Sequence, residues 1–424
     1  MPTDAWPSLF AAELARLDAA RLRRVRRALN PIDAVRVRLG GRTLVNFSSN
    51  DYLGLTHHPR VVAAAQAAAA RYGVGSGAAP LVTGHTDAHA AAEAAIAAWK
   101  GTAAAVLFPS GFQANLAIVQ ALAAVAARAG RPVRFLLDKL CHASLVDAAR
   151  AVAAGASTNA DDGPPAASYR VFPHNGVGKL ARLLGTDDPA GGGGGAARPL
   201  DVILTESIFS MDGDAADLTA IAALKASAGS PPLLVLDEAH GSGAYGPAGA
   251  GLAAELGLSA AVDATVATLS KAVGVAGAAV CGSVDLCDVL VNLGRAYVFS
   301  TSVPATTAAA AAESIAVMRD EPHRQARVRA LARRVRAELS AAGVTLPPGD
   351  SPIIPVVLGT EAAALTAADR LRERGLLVSA IRPPTVPRGT SRLRVTLSSE
   401  HSDAEVEALM AGLLAVGQAE GQPG

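Results

Sequence analysis

The 424-residue chain is poor in aromatic residues, at 4%, and holds only three cysteines. It carries almost no net charge, with 38 Lys and Arg against 37 Asp and Glu. Each scarcity excludes something. Without a basic excess there is no electrostatic footprint for nucleic acid or for an anionic membrane surface. Cys141, Cys281 and Cys287 are odd in number and irregularly spaced, with no paired C-x-x-C, which fits free thiols in a reducing compartment. Met1 to Asn30 mixes Arg and Glu with Leu and Ala and lacks the apolar run and cleavage site of a secretory signal. The apolar stretch Ala260 to Val280 contains Asp263 and Lys271, so it is a poor membrane span. A soluble, cytoplasmic-type chain is expected. Charged residues are 18%, below the roughly 25% of ordinary soluble domains, and this points to extra buried surface such as a subunit interface.

What is present is Ala, Val and Leu, which suit packed helices and buried strands. Leu9 to Leu29 reads as an amphipathic helix ended by Pro31, with Leu14, Leu17, Leu22, Val25 and Leu29 on one stripe. Arg36 to Phe47 alternates like a hairpin with Gly40-Gly41 at its turn, and Pro59 opens a helix through Arg71. Strand-like runs then alternate with Ala-rich helices: Ala103 to Phe108, Val133 to Leu137, Asp201 to Thr205, Leu233 to Leu236 and Ala264 to Leu269. That alternation predicts an α/β fold with a parallel sheet covered on both faces. Asp161 to Ala166 and Gly185 to Pro199, with its run Gly191 to Gly195, read as surface loops. Beyond Tyr297 a long helix broken by Pro322 leads to strands at Ile353 to Leu358 and Leu393 to Leu397, flanking a helix from Glu361 to Glu373. The expected division is an N-terminal helix and hairpin arm over 1–47, a large domain over 48–296, and a smaller α+β C-terminal domain over 297–424.

Three segments carry chemistry. Leu233 to Gly241 is an apolar strand that delivers Asp237, then His240, at its carboxyl end, the edge where ligands bind in a parallel sheet. A buried Asp there needs a cationic or proton-donating partner, unless it is a cap or a structural Asp–His pair. Ala264 to Ala272 ends in Thr268 and Ser270 and places Lys271 before a Gly-rich turn. Desolvation favours the neutral amine of such a lysine, and a neutral amine condenses with aldehydes; the competing reading is a snorkelling surface lysine. Ala103 to Asn115 is strand, small-residue turn and helix start, with Ser110, Gly111 and Phe112 at the turn. Free backbone N–H groups there suit a phosphate, although an ordinary Ser-capped helix looks the same. A ligand with a phosphate, a protonatable ring nitrogen and an aldehyde answers all three: pyridoxal 5′-phosphate.

Asn46-Phe47-Ser48-Ser49-Asn50-Asp51-Tyr52-Leu53-Gly54-Leu55, Cys141-His142-Ala143-Ser144-Leu145, Ser210-Met211-Asp212-Gly213-Asp214, Asp237-Glu238-Ala239-His240-Gly241 and Thr268-Leu269-Ser270-Lys271 together resemble the α-oxoamine synthases, pyridoxal-phosphate enzymes of fold type I. The likeness spans Asn46 to about His401. It implies a mainly parallel, seven-stranded-type sheet flanked by helices, and a homodimer with shared sites. By the same resemblance Lys271 carries the cofactor covalently, Asp237 pairs with its ring nitrogen, and His240 and Ser210 hydrogen-bond the ring hydroxyl. His142 stacks on the ring and touches substrate. Ser110, Gly111, Phe112 and Thr268 sit at the phosphate end. Asn50, Thr301 and Ser302 act from the neighbouring subunit, and Arg23 reaches the acyl substrate.

Ile381-Arg382-Pro383-Pro384-Thr385-Val386-Pro387 with Arg392-Leu393-Arg394 is most similar to the branch that condenses L-alanine with pimeloyl-CoA, or with a pimeloyl acyl carrier protein, in biotin biosynthesis. Thr385 then lies on the substrate side. Arg392 and Arg394 alternate on a strand and so face one side, where an arginine grips a carboxylate; the resemblance favours Arg394. Two features depart from the family: the long Gly185 to Pro199 loop, and His85 in Thr83-Gly84-His85-Thr86. Other readings stay open. Sister enzymes join glycine to acetyl-CoA or serine to a long acyl chain. Gly241-Ser242-Gly243-Ala244-Tyr245-Gly246 matches the G-x-G-x-x-G of dinucleotide oxidoreductases, although its first glycine is not at the strand end. A catalytically inactive structural dimer is the last alternative.

Overall fold

The computed structural model describes residues 6–155, 166–185 and 198–420. Gly191 to Gly195, and most of Asp161 to Ala166, lie outside the described residues. The chain divides into two compact units. The larger comprises Asp51–Ser210 and Asp214–Ala326; the smaller comprises the residues up to Asn50, Met211–Gly213, and those from Arg327 on. The helix Ala305–Asp320 therefore goes with the larger unit rather than with the C-terminal part.

A seven-stranded sheet organises the larger unit. Its spatial order is Ala104–Phe108, Ala278–Gly282, Ala264–Thr268, Leu233–Asp237, Leu200–Glu206, Val133–Asp138, Ala167–Phe172. Ala278–Gly282 runs antiparallel to both its neighbours, and the rest of the sheet is parallel. Two of these strands escape the apolar-run signal. Ala167–Phe172 is an edge strand with Tyr169 and Arg170 in its middle, and Ala278–Gly282 is Ala, Val, Cys and Gly, weak strand formers for the most part. The central strands are buried along nearly their whole length, as a sheet covered on both faces requires. Small Ala114, Ala117 and Ala121 let the helix Gly111–Arg128 lie close over Phe108, Phe135 and Val235. Each buried Leu, Val or Phe in such a core contributes roughly 1.5–3 kcal/mol.

In the smaller unit, Arg36–Leu39 and Arg42–Asn46 form the expected hairpin. Gly40 and Gly41 both adopt positive φ, 55° and 81°, as a two-residue turn of matching twist demands. A second sheet is antiparallel in the order Ile353–Gly359, Ser391–Thr396, Ser379–Ile381. The N-terminal helix is shorter than its apolar stripe predicts, Trp6–Ala19 rather than Leu9 to Leu29. Arg21 adopts φ 54°, the N–H of Leu22 reaches the carbonyl of Leu17, and that of Arg21 reaches Asp18. This left-handed closure ends the helix. Leu17 and Leu22, the pair such a closure brings together, are the half-buried residues among exposed neighbours.

Candidate active site

Parallel topology brings the last residues of four strands to one edge of the sheet: Asp138, Glu206, Asp237 and Thr268. Asp237 is 4% exposed. Its Oδ2 accepts from Asn115 Nδ2 at 2.8 Å and its Oδ1 from the backbone N–H of Ala239 at 2.9 Å. Two donors leave lone pairs on both oxygens for a further one, such as a protonated ring nitrogen.

The same Asn115 amide donates to Ser144 Oγ at 2.9 Å. The Ser144 hydroxyl lies 2.7 Å from His142 Nδ1, and the Ser144 backbone N–H donates to the same nitrogen at 3.2 Å. His142 Nδ1 is therefore the acceptor, and the network assigns the proton to Nε2. Burial holds this imidazole below its ordinary pKa; Asp237 opposes that and the charge of Lys271 reinforces it. His142 is thus a neutral ring with an N–H to donate, at the start of the helix Ala143–Ala154.

Lys271 follows the strand Ala264–Thr268 and is half-buried. Its turn closes by the Gly274 N–H donating to the Lys271 carbonyl at 2.8 Å. Gly274 has φ 75°, and a Cβ there would stand 2.7 Å from Thr56 N, so this turn requires glycine. Lys271 acts electrostatically on both His142 and Glu206, which places it in the company of the edge acids. His240, 4% exposed, meets Tyr52 Oη through Nδ1 at 2.6 Å. Ser210 lies just beyond the Leu200–Glu206 strand, inside the loop closed by the Ile208–Ala215 bridge.

The helix Gly111–Arg128 opens with Ser110 as its cap, accepting from the Gln113 N–H at 3.2 Å. A Cβ on Gly111 would come within 2.6 Å of Thr268 Oγ1. The free helix N-terminus and the Thr268 hydroxyl therefore share a cradle that only glycine leaves open, which fits a phosphate. With Asp237 and Lys271 on the same edge, the residues present fit pyridoxal phosphate. Phe112 is largely exposed beside this cradle. Thr301 is exposed, and Ser302 is buried, bonded through its N–H to the Ala78 carbonyl and through Oγ to His89.

The other expected residues lie in the smaller unit. Every residue of the strand Ser391–Thr396 is buried, so Arg392 and Arg394 are not surface charges. Arg392 is ion-paired with Asp212 and donates to the carbonyls of Met211 and Thr390. Arg394 donates to Asn50 Oδ1 at 3.1 Å. Arg23 pairs with Asp18, and Arg24 Nη2 donates to Thr385 Oγ1 at 3.1 Å. A cleft of about 790 Å³ gathers Arg21, Arg23, Arg24, Arg27 and Arg382 with Asn46 and Ser48. Burial, then the like charge of Arg24, lower the pKa of Arg382.

Sequence reasoning missed the parts played by Asn115, Ser144 and Tyr52. Asn115 had a detectable signal: it lies four residues after Gly111 and hence on the same helix face. The G-x-G-x-x-G reading fails. No α-helix opens at Gly246, which caps only the three-residue 3-10 turn Pro247–Gly249, and a Cβ on Gly241 would stand 1.9 Å from Glu238 Oε2. Gly241 makes room for the buried Glu238, Gly243 for Ala272 and Gly246 for the backbone of Gly251, so all three are occupied by packing within the fold.

Residues 42–413 match the family model described as aminotransferase class I and II. The 8-amino-7-oxononanoate synthase of Anaeromyxobacter dehalogenans (strain 2CP-1 / ATCC BAA-258) is 47% identical over 407 residues, 96% of this chain and 95% of that protein. The protein of the same name from Pseudomonas putida (strain GB-1) is 42% identical over 405 residues, covering 95% and 96%. A solved serine palmitoyltransferase from S. paucimobilis, with a bound pyridoxal-phosphate–myriocin aldimine, superposes with a TM-score of 0.84 at 28% identity over 97% of each chain.

Proposed function

The chain belongs to the aminotransferase class I and II family, and from that premise we propose that it is an acyltransferase of the 8-amino-7-oxononanoate synthase type. It condenses L-alanine with a pimeloyl thioester, releases the thiol and carbon dioxide, and yields 8-amino-7-oxononanoate for biotin biosynthesis. The observation that carries this reading is the 42–47% identity, over almost the whole chain, to proteins of that name. The serine palmitoyltransferase likeness is weaker in sequence, at 28%.

When bound, pyridoxal phosphate supplies an aldehyde for amines and a ring that stabilises a carbanion. Lys271 would hold it covalently, and its amine would serve as general base for the α-proton of the amino acid. Asp237, steadied by Asn115, keeps the ring nitrogen protonated. His142 donates its Nε2 proton toward the thioester carbonyl. His240, Ser210, Ser110, Gly111, Phe112 and Thr268 orient the cofactor. Arg394 grips the amino-acid carboxylate, and Arg23 and Thr385 serve the acyl donor, whose anionic groups suit an arginine-rich cleft.

The reading includes a homodimer in the cytoplasm. Val74, Val82 and Phe299 are 79%, 74% and 73% exposed, and Leu81 and Phe112 accompany them. Their segments are tied together by Ser302 N–H to Ala78 O and by Gln113 Nε2 to Ser300 Oγ. Neighbouring exposed apolar side chains of this kind support a second copy, with Thr301 and Ser302 acting across the interface. The three cysteines are free and buried, which suits a reducing compartment. An acyl carrier protein is the alternative bearer of the pimeloyl group.

Mass spectrometry of the product from L-alanine and pimeloyl-CoA tests the proposal. Glycine with acetyl-CoA and serine with palmitoyl-CoA run alongside. Turnover confined to one of those pairs would overturn the substrate assignment. Near-normal turnover by Lys271→Ala would overturn the chemistry.

A further inference from the structure

Three neighbouring parallel strands, Leu200–Glu206, Val133–Asp138 and Ala167–Phe172, end together on the ligand-binding edge. The segments that follow them carry Ser210, His142 and His174 in turn. His174 ties the other two segments together. Its Nδ1 lies 3.1 Å from Asp138 Oδ1, and its Nε2 lies 2.7 Å from Asp214 Oδ2. An ionised carboxylate only accepts, so both ring nitrogens donate and the ring is an imidazolium. Each acid in turn holds backbone. Asp138 Oδ1 accepts the Leu140 N–H at 2.8 Å, and the Asp138 carbonyl accepts the Cys141 N–H at 3.1 Å, so the turn at this strand end is fixed. The Asp214 carbonyl accepts the N–H of Phe209, the residue before Ser210, at 2.9 Å. The buried Phe209 ring meets the His174 ring edge-on, with centroids 4.3 Å apart. Asn175 runs alongside: its N–H donates to Asp138 Oδ2 at 2.8 Å, its Nδ2 to the Ala215 carbonyl at 3.0 Å, and its Oδ1 accepts the Asp217 N–H at 3.2 Å. A buried carboxylate needs donors or a cation. Asp214 depends on His174 for both, because its Oδ1 is buried with no partner among the described residues and its Oδ2 otherwise meets Asn175 Nδ2 at 3.4 Å.

We infer that His174 is a positioning residue of the cofactor site, a strut that braces the loop stem presenting Ser210 against the strand end at Asp138. This rests on the cofactor reading above, in which Ser210 orients the cofactor. His174 touches no reacting atom. It acts through the backbone that Asp214 holds, with Asp138 as the fixed end of the strut. A glutamine at this position donates from a single amide group and carries no charge, so it can tie one acid but cannot span both.

Hydrogen exchange of the cofactor-free protein gives the first test. His174→Gln should speed exchange of the Phe209 and Asp217 N–H groups by about tenfold or more and leave the hairpin Arg36–Leu39 and Arg42–Asn46 unchanged. Unchanged exchange at Phe209 and Asp217 would overturn the strut. The second test titrates pyridoxal phosphate by absorbance. His174→Gln should weaken binding by about tenfold and shift the visible band, as the misplacement of one hydrogen bond would. In a Ser210→Ala background the same substitution should change affinity by no more than about twofold, because its route to the cofactor is already cut. A full tenfold loss in that background would mean that His174 does not act through Ser210, and would overturn the inference. Asp214→Ala cuts the strut at its far end and should reproduce both results. It also replaces the Gln variant should that one fail to fold, which far-ultraviolet circular dichroism checks. The exchange measurement needs no cofactor. A protein that develops no visible band in pyridoxal phosphate would therefore sink the cofactor reading while the bracing of the loop by His174 is still decided.

Discussion

Arg392 and Asp212 form an ion pair in the smaller unit, whereas Arg394, two residues along the same strand, donates to the neutral amide oxygen of Asn50. The charge of Arg392 is thus engaged in holding Met211–Gly213, and the proposed function assigns the substrate carboxylate to Arg394. On that assignment Arg394→Gln is expected to raise KM for L-alanine by roughly 10- to 100-fold, the worth of a charge-assisted bidentate contact. Arg392→Gln strands the Asp212 carboxylate, which is about a quarter exposed, and is expected to cost roughly 1–3 kcal/mol in urea unfolding. Steady-state kinetics and unfolding curves on both variants read this directly. The reverse pattern would transfer the carboxylate grip to Arg392.

His174 is held between Asp138 and Asp214, at 3.1 and 2.7 Å. Burial opposes its charge, but the hydrogen bonds and charges of the two carboxylates outweigh burial and raise its pKa from 6.5 to about 10. A raised folded-state pKa means stability that is fully present below pH 6.5 and is lost as pH climbs toward 10. The stability difference between the unsubstituted protein and His174→Gln should therefore be largest near pH 6 and shrink steadily toward pH 10. Urea midpoints across that range measure it, and taking the difference cancels the other titrating groups. A flat difference would show that His174 is not a cation in this structure.

How legible all this was depended on the range of the interaction. Contiguous apolar runs announced five strands of the large sheet, and the strand-end positions of Asp237 and Lys271 announced the chemistry, because both are local patterns. The Ala278–Gly282 strand was invisible because its residues have small side chains and it takes its place by pairing with strands on both sides. The N-terminal helix was overread because apolar spacing continues past Arg21, where the backbone turns left-handed. The contacts of Asn115 with Ser144 and Asp237 form only after the helices Gly111–Arg128 and Ala143–Ala154 pack beside the strand end. No spacing rule connects residues so far apart.

Gly111 offers the sharpest check of the cofactor cradle, because its missing Cβ is what keeps the helix start and Thr268 apart. Gly111 is the first residue of its helix, so alanine gains little there from helix propensity, and Gly111→Ala should cost the cofactor-free protein a modest amount of stability. The added Cβ would stand 2.6 Å from Thr268 Oγ1. Thr268 is β-branched and sits at a strand end, so its hydroxyl yields only by leaving the cradle. Affinity for pyridoxal phosphate is accordingly expected to fall by about tenfold or more, the cost of roughly one charge-assisted hydrogen bond. Absorbance titration of the cofactor-free protein measures this, and a parallel melt separates it from unfolding. A variant that binds as tightly as the unsubstituted protein would mean that the phosphate lies away from this helix start, and Ser110, Gly111 and Thr268 would lose their assigned part together.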